Sequence, residues 1–158
     1  MDFFNQTGKL AIGSRLRLLT DKITVDAAAI YKMFGVDLKP KWFPVFFVLS
    51  RGEAKTITSI AKEIGHSHPS VSNIIKEMVA KGLVKETKDK SDGRRNMVML
   101  SAKGNRMSDS FSEQCIDVTA AIEQITQQTR NDLWEAIEEW ENLLLDKSLL
   151  ERVKEAKK

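Results

Sequence analysis

Residues 56–100 constrain the fold more than any other part of the chain, because the spacing of their apolar side chains switches from helical to strand-like within one short run. Ile57, Ile60, Ala61 and Ile64 recur at i, i+3, i+4 and i+7, one face of a short amphipathic helix. Thr56 is placed to cap its first turn and Gly65 to end it. Past Gly65-His66-Ser67, Ser67 is placed to cap a second helix expected to reach Lys81, with Pro69 tolerated in its first turn. Val71, Ile74, Ile75 and Met78 form the apolar face of that helix, and Gly82 ends it. Residues 83–87 and 97–100 then read as two short strands, joined through the polar residues 88–96 as a hairpin tip. Helix, tight turn, helix and charged hairpin, in that order, make a winged helix-turn-helix.

Such a unit divides its labour. The first short helix buttresses the second, and the second must keep its outer face free of bulk if it is to enter a major groove. That face carries His68, Pro69, Ser70, Ser72, Asn73 and Lys76. Hydroxyls and an amide suit base edges, Asn73 an adenine edge in particular, while Lys76 suits a phosphate. At the hairpin tip, Lys88, Lys90, Arg94 and Arg95 supply charge to follow the backbone or to set an arginine in a narrow minor groove. Taken singly, a polar helix face and a charged turn are only solvated surface. Their order is what points to double-stranded DNA.

The charge distribution agrees. Residues 81–106 hold eight Lys/Arg against Glu86, Asp89 and Asp92, whereas residues 107–146 hold ten Asp/Glu against Arg130. A net charge of +3 hides this split. One part of the chain suits a polyanion and the other is repelled by it.

The flanks read as long helices. Ile12, Leu16, Leu19, Ile23, Ala27, Ile30 and Phe34 form one stripe, which Gly35 stops. Pro40 marks the start of a further helix, with Pro44 leaving the boundary open, and Trp42, Phe43, Phe46, Phe47 and Leu49 follow up to Arg51-Gly52. Behind the strands, Ser101 is placed to cap a long helix bearing Met107, Phe111, Cys115, Val118, Ile122 and Ile125 at near-heptad spacing. A last helix, from about Thr129, carries Leu133, Trp134, Ile137, Trp140 and Leu144 on one side. Residues 151–158 read as a solvated, fraying tail. Apolar stripes of this length at both ends exceed what a monomer leaves exposed, so a second copy of the chain is expected to cover them.

Other classes find little support. The single cysteine excludes a disulfide framework and a multi-cysteine zinc site, and suits a reducing cytoplasm. The N-terminal residues lack the pattern of a signal peptide, and no run approaches the ~18 apolar residues of a membrane span. His66 and His68, two apart and without an acidic neighbour, make a poor zinc pair. Cys115 on an apolar stripe reads as an inert core thiol. No nucleophile–base pair or phosphate-cradling glycine loop is present, so neither an enzyme nor a cofactor is expected. The rival reading is a winged-helix protein-interaction module without DNA binding, which the retained Lys90, Arg94 and Arg95 disfavour.

Residues 56–104 resemble the MarR family of transcriptional regulators. The resemblance rests on Thr56-x-x-x-Ile60-Ala61-x-x-Ile64-Gly65, on Ser70-Val71-Ser72, and on Met78-x-x-Lys81-Gly82-Leu83-Val84. Its most specific part is Asp92-Gly93-Arg94-Arg95 with Leu100-Ser101-x-x-Gly104 behind it, matching the family's wing, although Ser101 stands where threonine is usual. The flanking helices extend the likeness over nearly the whole chain. The resemblance implies a mainly α (α+β) winged helix-turn-helix homodimer with a two-stranded β wing. Residues 1–36 would form an N-terminal dimerisation helix, 37–104 the DNA-binding domain, and 105–158 the C-terminal dimerisation helices. It further implies repression from a palindromic operator, with Arg94 in the minor groove, Asp92 orienting the wing, and Ser70, Ser72 and Asn73 in the major groove. A small aromatic effector is also implied, with Trp42, Phe43 and Phe46 as candidate pocket residues.

Overall fold

The computed structural model describes residues 2–88, 92 and 96–157. The chain divides into two compact units, residues 1–114 and 115–158. Among the described residues, no helix is long and apolar enough to cross a membrane.

The first unit opens with a short helix, α1 (Asp2–Thr7), a 3-10 turn (Gly8–Ala11), and the long helix α2 (Ile12–Met33). Gly35 ends α2 in the left-handed region at φ +68°, which lets Gly35 and Val36 donate back to the carbonyls of Lys32 and Tyr31 at 3.2 and 2.8 Å. The open boundary around Pro40 and Pro44 resolves into two steps. Pro40 begins a 3-10 turn (Pro40–Trp42), and Pro44 sits in the first turn of α3 (Phe43–Ser50), where its missing N–H is not needed.

The two short helices follow as the spacing predicts. In α4 (Ile57–Glu63), Thr56 Oγ1 accepts from Ser59 N at 3.1 Å, and in α5 (His68–Ala80), Ser67 Oγ accepts from Ser70 N at 3.3 Å. The strands β1 (Val84–Lys88) and β2 (Asn96–Leu100) pair antiparallel, with Val84 opposite Leu100 and Glu86 opposite Val98. Lys55 exchanges both backbone bonds with Val98, at 2.9 and 2.8 Å, and so ties the lead into α4 onto the far side of β2. Sequence spacing did not reveal this third, one-residue strand.

Burial follows the apolar faces. Val71, Ile75 and Met78 of α5, Ile60 of α4 and Val98 of β2 are fully buried, together with Trp42 and Phe46. Each such side chain contributes on the order of 1.5–3 kcal/mol of transfer free energy. This core fixes α5 by its inner face and leaves its outer face to solvent.

The helix α6 (Ala102–Gln128) starts by gripping the end of α5. Ser101 N donates to Leu83 O at 2.9 Å, Ser101 Oγ donates to Gly82 O at 2.5 Å, and Lys103 Nζ donates to Lys81 O at 3.0 Å. Ser101 Oγ also accepts from Gly104 N at 3.1 Å, which makes it the cap expected of it. Gly104 is required by the closeness of this crossing: a Cβ there would lie 2.3 Å from Leu83 O.

In the second unit, Asp132 Oδ1 accepts from Trp134 N and Glu135 N at 2.8 and 3.1 Å and starts α7 (Leu133–Asp146). The expectation of a frayed tail over residues 151–158 is corrected here. Residues Leu149–Ala156 form a further helix, α8, held by a capping box in which Ser148 and Glu151 satisfy each other's backbone N–H groups. Arg152 then reaches back to the carbonyls of Leu143 and Lys147 at 2.8 and 3.1 Å, so the end of α7 and the start of α8 are joined. Cys115, expected in a core, is only half-buried, and that burial pushes its thiol above the ordinary value.

Candidate nucleic-acid interface

The outer face of α5 is built by the same pattern that buries its inner face. Val71, Ile74, Ile75 and Met78 point into the core, and the helical repeat therefore turns His68, Pro69, Ser70, Asn73 and Lys76 outward, all of them exposed. Ser72, on the shoulder of this face, is half-buried. The N-terminal turn of α5 thus presents small hydroxyls and an amide, with Lys76 one turn after Ser72. Such a surface can meet donor and acceptor edges without steric bulk.

The hairpin continues the interface. Lys85, Glu86 and Lys88 of β1 are exposed, and Lys88 Nζ donates to Asn96 Oδ1 at 2.7 Å across the base of the wing. Asp92 is half-buried and makes a polar interaction. Lys90, Arg94 and Arg95, the remaining candidates at the tip, lie outside the described residues.

Two ion-pair clusters brace these elements. On the α4 side, Lys55 Nζ bonds Glu63 Oε2 at 2.8 Å, and Arg51 lies 3.5 Å from the same carboxylate. The hydrogen bond that Lys55 donates to Glu63 raises its ammonium pKa above the ordinary value. On the α5 side, Glu77 accepts from Lys41 Nζ at 2.6 Å and from Trp42 Nε1 at 2.9 Å. Those two hydrogen bonds, Lys41 first, hold its carboxyl below the usual range. Sequence reasoning missed Glu77 because its partners stand 35 and 36 residues away, beyond any local spacing signal.

Beside the outer face of α5 lies a hollow of ≈ 370 Å³. Pro40, Lys41, Phe43 and Pro44 line one wall; His66, Ser70, Asn73, Ile74 and Glu77 line the other. Of the three aromatic residues expected at a pocket, Phe43 lines this hollow. Trp42 and Phe46 belong to the core instead, Trp42 with its indole N–H on Glu77 and Phe46 edge-on to Phe111 at 4.7 Å. His66 Nδ1 is 2.9 Å from Ile64 O, which holds the ring at the turn between α4 and α5. Among the described residues, no group of three or more His, Cys, Asp or Glu is placed to hold a metal ion.

Residues 36–95 match the model of the MarR family. Among solved structures, the transcriptional repressor CouR bound to a 23-mer DNA duplex is similar over 88% of this chain and 96% of its own, at 20% identity and a TM-score of 0.64. The PcaV transcriptional regulator from Streptomyces coelicolor, in complex with its natural ligand, is similar over 86% of this chain and 92% of its own, at 14% identity and a TM-score of 0.61. The adhesin competence repressor AdcR from Streptococcus pyogenes covers 85% and 95%, at 19% identity and a TM-score of 0.61. A comparison with curated protein sequences gave no match.

Proposed function

We propose that the chain is a transcriptional repressor of the MarR type that binds an inverted-repeat operator as a homodimer; residues 36–95 match the model of that family. The observation that carries this reading is the two-sidedness of α5. Four apolar residues anchor it, and the opposite face offers His68, Pro69, Ser70, Ser72, Asn73 and Lys76 beside a basic wing. In this reading Ser70, Ser72 and Asn73 meet base edges, Lys76 and Lys90 meet phosphates, and Arg94 enters the adjacent minor groove with Arg95 on the backbone. Asp92 orients the wing. CouR, similar in fold, is a repressor with a DNA duplex bound, which supports the same use of the fold here.

Homodimerisation rests on uncovered apolar surface in each unit taken separately. Leu16, Leu19 and Ile23 of α2 are exposed in the first unit, and Trp134, Trp140 and Leu144 of α7 in the second. A partner copy covering these faces would remove large aromatic and aliphatic surfaces from water. The helices 1–36 and 105–158 then serve assembly, and residues 37–104 serve DNA.

The hollow beside Phe43 is the place for a small aromatic effector, whose binding would release the operator. PcaV, with its natural ligand bound, is the relative that motivates an effector. Gel shifts with a random duplex pool at low and high salt test the reading. Retention of a sequence-enriched fraction at high salt is the expected result; loss of all binding at high salt marks sequence-independent phosphate contact alone, and no shift at either salt supports an interaction module without DNA binding.

A further inference from the structure

Glu77 sits on the recognition helix yet contributes nothing to its outer polar face. Its carboxylate turns toward the 3-10 turn before α3, where Oε1 takes the Lys41 ammonium at 2.6 Å, Oε2 takes the Trp42 indole N–H at 2.9 Å, and Lys39 Nζ lies 3.6 Å from Oε2. Trp42 is 1% exposed, so its N–H has lost water and needs a protein acceptor. Glu77 supplies it.

The setting makes this contact more than a surface ion pair. The ≈ 370 Å³ hollow, open to solvent, runs along the edge where the turn meets α5, with Glu77 in its wall. On that edge the helix has solvent rather than packed side chains beside it, so fewer dispersion contacts fix its rotation there than on its buried face. Ser70, Asn73 and Glu77 fall at i, i+3 and i+7 on α5, one stripe, and all three line the hollow. A hydrogen-bonded strut therefore ties this edge of α5 to the turn, on the same stripe that holds two of the residues assigned to base reading. Two lysines on that strut also offset a carboxylate that would otherwise face the phosphates of bound DNA.

We propose that Glu77 is a positioning residue for DNA reading, which through Trp42 and Lys41 sets the height and rotation of α5 at which Ser70 and Asn73 meet the bases. This rests on the reading of α5 as the recognition helix. Loss of the strut displaces base contacts but leaves phosphate contacts in place, and it frees Lys39 and Lys41. Specific affinity falls while sequence-independent affinity is kept.

The test uses the full chain and two duplexes, one selected from a random pool by the wild-type protein and one scrambled from it. Glu77→Ala is expected to weaken binding to the selected duplex by about tenfold or more, the order of one lost base-pair readout. Binding to the scrambled duplex stays within about twofold, because phosphate charge carries it. Trp42→Phe removes the donor from the opposite side and gives the same split. Glu77→Gln keeps an amide oxygen for the indole and loses the lysine pairing, so it falls between wild type and Glu77→Ala; it also decides the matter if the alanine variant does not fold. A parallel loss on both duplexes marks a merely structural residue and overturns the proposal. So does a wild-type preference that survives Glu77→Gln and Trp42→Phe unchanged. A wild-type protein with no preference between the duplexes overturns the DNA reading itself, and the proposal with it.

Discussion

At the scale of single residues, Asn73, Arg94, Gly104 and Glu77 each carry an expectation of a different kind. Asn73 is exposed on α5 and its amide suits an adenine edge, so Asn73→Ala is expected to change the base preferred at one operator position. A selected motif identical to that of the wild type would remove Asn73 from direct readout. Arg94→Ala is expected to weaken operator binding by about 1–3 kcal/mol with the fold intact, as read by gel shift alongside circular dichroism. Gly104 has a steric reason rather than a chemical one. With Leu83 O 2.3 Å from the site of a Cβ, Gly104→Ala must push backbone apart and should cost on the order of 1–3 kcal/mol in denaturant unfolding. Glu77 makes stability depend on acid. Its carboxyl is held below its ordinary value of 4.5, so its contribution is present above that value and lost as pH falls through the lower folded one. The difference in Tm between wild type and Glu77→Gln should accordingly shrink below pH 4.5 and hold steady above it. A difference that grows in acid would reverse the assigned sign.

At the scale of elements, the sequence was most legible where periodicity and punctuation agreed. The helix α2 carries a long apolar stripe closed by Gly35, and α4 and α5 each have a capping hydroxyl and a terminal glycine within a few residues. What escaped was short or non-local. With six residues, α1 is too brief for a period to register. The Lys55–Val98 bridge joins residues far apart in the chain and is one residue long. The helix α8 carried its own signal, Ser148-x-x-Glu151, which the dense charge of residues 151–158 masked as a solvated tail. The candidate pocket was half legible: aromatic spacing marked 42–47, but which rings face the core depends on the 3-10 turn that Pro40 imposes. Caps also give a direct check on the second unit. Asp132→Ala removes the acceptor for two N–H groups at the start of α7 and should cost about 0.5–2 kcal/mol of stability in thermal or denaturant unfolding. No change would mean that α7 is held by contacts other than its cap.

At the scale of the whole molecule, charge and apolar surface divide the work. The basic residues cluster in 81–106 and the acidic ones in 107–146, so the wing region attracts a polyanion that the following helices repel. In the proposed homodimer a second copy of the chain covers the exposed aliphatic face of α2 and the exposed aromatic and aliphatic face of α7. Replacing Trp140 and Leu144 together with Glu should give monomers by sedimentation and remove most operator affinity, since each half-site alone is held weakly. A variant that stays dimeric and tightly bound would move the interface elsewhere. Sequencing the duplexes that the wild-type protein retains from a random pool tests most directly the proposal of a two-fold molecule that reads DNA through two copies of α5. The predicted result is an inverted repeat whose half-site centres lie about one helical turn, ~10 base pairs, apart. A single unrepeated motif, or no enrichment over the starting pool, would contradict it.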